Sequence, residues 1–256
     1  MLKLSYGNSK IKKLADYLGH TKKQVASFDL PAGYTCRAAF LCQSFANRDT
    51  GKITDGKNMK FRCYAASSES AFPATRRLRW HNFDILKNMS FDAMVETIEA
   101  SIPNEIKVLR IHSSGDYFTR DYFNAWLHVA KNNPNIMFFG YTKILEYAHY
   151  NMDNFKIVYS IGGKYDNNLT TESSIRVVET IEQGHAMGLP VACDNHPADD
   201  YDYIVNGQSF AIALHGTQPA GSPTNKKRNS YIRQSGVFIS RLSYLGNACS
   251  QQVKST

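Results

Sequence analysis

The chain has 256 residues, 43% of them hydrophobic and 20% charged, with a formal net charge of +8. That balance excludes a wholly disordered chain. No run of about 18 uncharged apolar residues is present to cross a membrane, and the opening MLKLSYGNSK lacks the apolar core of a signal peptide. The expectation is therefore a cytoplasmic protein with no membrane partner, built as one domain over residues 1–256.

Lys3, Lys10, Lys12, Lys13, Lys22 and Lys23 make the start of the chain basic, and the tail 217–256 carries lysine and arginine but no acidic residue. Such ends either track a polyanion by counterion release or form a solvated face. QVASFDL reads as the first strand. The stretch from Phe28 to Ser67 then crowds Cys36, Cys42 and Cys63 into a segment that is neither a plain helix nor a plain strand. SSESAFPATRRLRWHNFDILKN and SFDAMVETIEASI read as helical, with Pro73 in a first turn or at a break.

From the middle onward, short β-branched or aromatic runs alternate with helical patterns. IKVLRI is a strand ending near His112. TRDYFNAWLHVAKNNP follows as an amphipathic helix with Thr119 as its N-cap. NIMFFGYTK is the next strand and ILEYAHYN a short helix. FKIVYSIGG is another strand, and TTESSIRVVETIEQGHAMG reads as a helix through Ile175, Val178, Ile181 and Met187, closed by Gly188. LPVACDN and FAIALHG complete the series. Alternation of this kind implies right-handed crossovers and a parallel sheet, either a βα barrel or a doubly wound sheet. The fold class expected is α/β, a single-domain partial βα barrel with parallel strands.

In parallel βα folds the working face lies at the carboxyl ends of the strands. The cysteine loop follows the first strand there, and Cys193 ends a later one. A reducing compartment makes five cysteines an improbable disulfide framework and favours metal ligation. Cys36, Cys42, Cys63 and Cys193 supply the four soft donors of an iron–sulfur cluster, most simply 4Fe–4S, with zinc as the alternative. Their C-x5-C-x20-C spacing lacks the close pair of a zinc ribbon. Each cysteine alone also suits a small buried core position, and Cys249 is left as a free thiol.

At the same face, HSSGDYF offers His112 as an acid or base and Asp116 to orient a substrate, and Lys143 offers a cation for an anion. These three are the catalytic candidates, beside the plainer reading of a strand-to-helix turn and a solvated lysine. Gly162 and Gly163 permit close backbone approach to a cofactor, as any tight turn would. His196 and His215 are candidate ligands or proton carriers. RRLRWHNF joins Arg76, Arg77 and Arg79 to Trp80 and His81 and offers a nucleic-acid contact, with a core role for Trp80 the plainer alternative. No Walker loop, GxGxxG, HExxH or nucleophile elbow is present.

FDLPAGYTC, FRCYAAS, RWHNFD and HSSGDYFTRDYFNAW together resemble a family from bacteriophages and plasmids known by a phage gene-product number. The resemblance runs from about Phe28 to His196. It implies a recurring LPAGxTC cysteine loop and a later SGD strand end, occupied here by Cys36, Cys42, Cys63 and Asp116. Arg37 stands where relatives have proline, and a cysteine-rich C-terminal extension is lacking, which argues against a second metal site. A phage origin would place the protein in the host cytoplasm. A cysteine loop after the first strand of a partial barrel is also where radical S-adenosylmethionine enzymes hold their cluster, although their C-x3-C-x2-C spacing is not found. The layout implies S-adenosylmethionine as a possible cofactor.

Two functions follow as expectations. One is a cluster-binding redox or radical enzyme, served by an electron donor and acting on a nucleotide or nucleic acid. The other is a non-enzymatic nucleic-acid-binding protein stabilised by zinc or a cluster.

Overall fold

In chain order the computed structural model contains α1 (Ser9–Tyr17), β1 (Val25–Phe28), β2 (Ser44–Ala46), β3 (Ile53–Asp55), α2 (Tyr64–Ala71), α3 (Pro73–Leu86) and α4 (Phe91–Glu99). β4 (Val108–Ile111), α5 (Arg120–Asn132), β5 (Met137–Thr142), α6 (Leu145–Ala148) and β6 (Phe155–Ser160) follow. The chain continues through β7 (Ser174–Val178), α7 (Ile181–Ala186), β8 (Val191–Ala192), α8 (Tyr201–Val205) and β9 (Phe210–Ala213). The structure describes residues 1–170, 173–192, 200–214, 216–222 and 224–225.

Seven strands form one sheet in the order β1-β4-β5-β6-β7-β9-β8, and every neighbouring pair is parallel. The sheet curls into a half-barrel, so the expected partial βα barrel is what forms. β2 and β3 pair antiparallel outside it.

Side chains alternate across the sheet with the period of two that a pleat imposes. Ala26, Phe28, Leu109, Ile111, Phe138 and Ile157 pack with Ile98 of α4 and Trp126 of α5. Val25, Val108, Phe139 and Val158 pack with Ile11 and Leu14 of α1 and with Tyr201 and Ile204 of α8. Both faces are thus covered, which is why these strands read as continuous apolar runs. Thr119 caps α5 by accepting from Tyr122 N at 3.1 Å, as its sequence position predicts.

Several expectations change. The stretch expected as one helix from Thr170 to Gly188 holds a strand and then a short helix. The β-branched run Ile175, Val177 and Val178 pairs with β9 as β7, and only after Thr180, which caps Gln183 N, does the helix α7 begin. Pro73 stands as expected, at the first position of α3 and at a break two residues after α2 ends. The final strands exchange places, β9 lying between β7 and β8. RRLRW is turned largely inward: Arg76 and Arg79 are buried on α3, and Trp80 packs edge-on against Tyr34 with the Arg48 guanidinium 4.9 Å above its ring. Among the described residues no helix is long and apolar enough to cross a membrane.

Gly140 lies between Ile111 and Ile157 in the sheet. A Cβ there would stand 2.2 Å from the Ile111 carbonyl oxygen, which is backbone and cannot swing aside. Gly140→Ala is therefore expected to cost about 1–3 kcal/mol through overpacking, measured by urea unfolding. An unchanged midpoint would show that the strands separate more easily than this packing implies.

Candidate functional site

The C-x5-C-x20-C spacing is explained by the antiparallel hairpin. After β1 the chain turns at Cys36, whose carbonyl accepts from Ala39 N at 3.1 Å. It reaches Cys42 and then spends the intervening residues on β2, β3 and their connection. Lys60 N donates to Leu41 O at 2.8 Å, which returns the chain beside Cys42. Cys63 then occupies the N-cap position of α2. Gly33 permits the approach: its φ is 76°, and a Cβ there would meet Ser44 O at 2.4 Å.

Cys36, Cys42 and Cys63 are free thiols, each half-buried. They line one cavity of about 200 Å³ together with His112, Asp116 and Lys143. All six follow the carboxyl end of a strand or lie on the loop and hairpin after β1, as the parallel topology predicts. Burial pushes the Cys36 thiol well above its ordinary range, helped by the nearby Asp116, Cys63 and Cys42. Burial, with Cys42 beside it, raises Cys63 to about 11. Cys36 and Cys63 therefore hold their protons at neutral pH.

His112 has a φ of 66°, a left-handed backbone that side chains adopt reluctantly. Its ring is buried, Nε2 lies 3.0 Å from the Tyr122 hydroxyl, and Nδ1 has no partner among the described residues. Burial holds its pKa down at about 3, so the ring stays neutral at physiological pH. Asp116 accepts from Tyr117 N and Thr142 Oγ1 through Oδ1 and from Lys143 N through Oδ2. It joins the end of β4 to the end of β5. Burial raises it to about 6 against those hydrogen bonds. Lys143 Nζ donates to Ser160 O, Ser160 Oγ and Ile161 O at 2.9–3.1 Å.

Gly162 and Gly163 are not in the lining of this cavity. The close approach they permit is to the cysteine loop: Gly162 O accepts from Phe40 N and Leu41 N, and both glycine amides donate to Asp166. Cys193, His196, His215 and Cys249 lie outside the described residues.

Sequence reasoning missed Glu69. It is fully buried, and its Oε1 accepts from Ala32 N at 2.8 Å, Arg79 Nη1 at 3.0 Å and Ser114 Oγ at 3.2 Å. The loop carrying Cys36, the helix after Cys63 and the HSSGD turn therefore meet at one carboxylate. Burial raises its pKa although Arg79 opposes the shift. The signal for it in sequence is slight: a lone acid in YAASSESA, among residues small enough for close packing.

A family model described as Gene product 88 matches residues 2–233. The Gene 88 protein of Mycobacterium phage L5 is 27% identical over 111 residues, covering 38% of this chain and 46% of that protein. The Gene 88 protein of Mycobacterium phage D29 is 26% identical over 97 residues, 34% of this chain and 40% of that protein. The chain thus spans less than half the length of these two relatives. No solved structure matches.

Two outcomes follow from the site's electrostatics. Glu69→Gln leaves the buried Arg79 charge uncompensated and is expected to cost about 3–5 kcal/mol in urea unfolding; a Glu69→Gln/Arg79→Met double variant should recover much of it. Asp116 binds its proton more tightly folded than unfolded, since about 6 lies above its ordinary 3.8. Its contribution is full below about pH 4 and is lost as pH rises through about 6. Stability profiles across that window should differ in slope between wild type and Asp116→Asn, and parallel profiles would refute the assignment.

Proposed function

We propose that this chain, which belongs to the Gene product 88 family of phage proteins, binds an iron–sulfur cluster through Cys36, Cys42 and Cys63 and is a redox or radical-type enzyme. The observation that carries the reading is the hairpin return that brings three free thiols to one cavity at the strand carboxyl ends. Among the described residues, no group of three or more His, Cys, Asp or Glu side chains is arranged to hold a metal ion. A cluster tolerates a wider set, because each thiolate binds its own iron, whereas a lone zinc ion needs its donors around one point.

Three protein thiolates leave one position of a 4Fe–4S cluster for a fourth ligand. Cys193, a histidine or an exogenous group such as S-adenosylmethionine would fill it. A protein ligand favours electron transfer with a donor; an exogenous one favours chemistry on a bound molecule. When bound, the cluster supplies one-electron chemistry. The chain's own residues prepare the space beside it. Lys143, its three N–H groups held by Ser160 and Ile161, acts on a ligand only as a nearby positive charge. Asp116 takes or gives a proton near its pKa of about 6, and His112 offers an uncharged ring.

Anaerobic purification followed by iron and sulfide analysis tests the reading. A brown protein absorbing near about 400 nm is expected, with most of that absorbance lost in Cys36→Ser, Cys42→Ser and Cys63→Ser. Cys193→Ser should lower it equally if that thiol is the fourth ligand. A colourless protein holding one stoichiometric zinc would overturn the reading and favour the metal-stabilised nucleic-acid-binding alternative.

A further inference from the structure

The sequence directs attention for nucleic acid to the basic ends and to RRLRW, yet Arg76 and Arg79 are spent inside. Arg76 donates to the carbonyls of Arg48 and Asp49, and Arg79 to Ala65 O and Glu69. A different set of cations faces outward around the cysteine loop. Arg37, Lys60 and Lys164 are exposed, and among the described residues no carboxylate forms an ion pair with them. Between them stand three large aromatic residues that are also exposed: Phe40 at 38%, Tyr64 at 52% and Tyr165 at 48%.

Backbone bonds join the segments that carry five of these six, all but Tyr64. Lys164 N donates to Ala38 O at 2.9 Å, Phe40 N to Gly162 O at 3.1 Å and Lys60 N to Leu41 O at 2.8 Å. Tyr64 itself lines the cavity. The acids of this region are half-buried and engaged elsewhere: Asp55 is held by Arg62, and Asp166 by Tyr159 and the amides of Gly162 and Gly163. The positive charge of the rim is therefore not paired by them. Exposed rings interleaved with cations are the combination that stacks unpaired bases and tracks their phosphates.

We propose that this rim binds single-stranded nucleic acid and presents one nucleotide to the cavity as substrate. The proposal rests on the enzymatic reading above for the word substrate and on the rim alone for binding. A duplex keeps its bases stacked on each other and cannot offer them to Phe40, Tyr64 and Tyr165, so single strands are selected.

Fluorescence anisotropy of labelled oligonucleotides of about 12 nucleotides, within one site size, tests it on the full chain with and without cluster. Single-stranded DNA or RNA should bind more tightly than duplex, and whichever binds tighter identifies the sugar. Three phosphate contacts predict a fall in log affinity of about two per decade of salt. Arg37→Glu/Lys60→Glu/Lys164→Glu should weaken binding at least about tenfold, and Tyr64→Ala/Tyr165→Ala about fivefold or more. Both variants should keep the absorbance near about 400 nm. No binding, equal binding of duplex, or equal competition by an acidic peptide would overturn the proposal. A cluster-loaded chain that ignores single strands sinks this inference alone; a chain without cluster that binds them sinks only the cluster.

Discussion

One oxygen of Glu69, sealed from water, receives hydrogen from three parts of the chain that are otherwise joined only through long excursions. A buried carboxylate is tolerated only where hydrogen bonds and an opposite charge replace its hydration. Here those replacements reach Oε1 from the loop after β1, the turn after β4 and α3, while Oε2 has no partner among the described residues. This one group ties the cysteine loop to the turn after β4, where Leu30 N also donates to Ser114 O. α2 buries only Ala65 and Ala66 beside it, too small to define a register by packing. Its place therefore depends on polar contacts: those of Glu69 and the bonds from Arg76 and Arg79 to the carbonyls of Glu69 and Ala65.

Asp29 and Asp116 extend the same logic along the strand ends. Asp29 accepts from Ser27 Oγ and from Ser114 N, and Asp116 ties the next turn to Thr142 and Lys143. The loops after β1, β4 and β5 are pinned to one another by these acids, in addition to the apolar contacts of Leu30, Tyr117 and Phe118. A polar edge of this kind leaves the cavity floor open to chemistry while the apolar layers beneath it hold the sheet.

Much of this was legible before the fold. Period-two strands alternating with a well-capped helix over 120–132 gave the parallel sheet. The rule that such sheets work at their carboxyl ends selected Cys36, Cys42, Cys63, His112, Asp116 and Lys143, which share the cavity. It also selected Gly162 and Gly163, which do not line it, and Cys193, which lies outside the described residues. The hairpin was not legible, because strands of three residues show no alternation. β7 was hidden because Ile175, Val178 and Ile181 fit a helical period as well as a strand followed by a helix. Glu69 was invisible for another reason. Its partners lie 37, 45 and 10 positions away, and no local pattern records a contact made across the fold. RRLRW left two readings open because a cation's type says nothing of its direction until the helix face is known; the packing of Trp80 and the burial of Arg76 and Arg79 agree with the plainer, structural one.

The hairpin separates two quantities that a sequence comparison treats as one. Cys42 and Cys63 are neighbours because Leu41 and Lys60 are joined at the base of the hairpin, and the connection between β2 and β3 at Asn47–Lys52 is largely exposed. The tip is itself held, since Arg76 binds the carbonyls of Arg48 and Asp49, but a change in its length that kept the Leu41–Lys60 join would alter the count between the cysteines and leave that join in place. A search that demands a fixed interval would then pass over chains that keep the same three sulfurs.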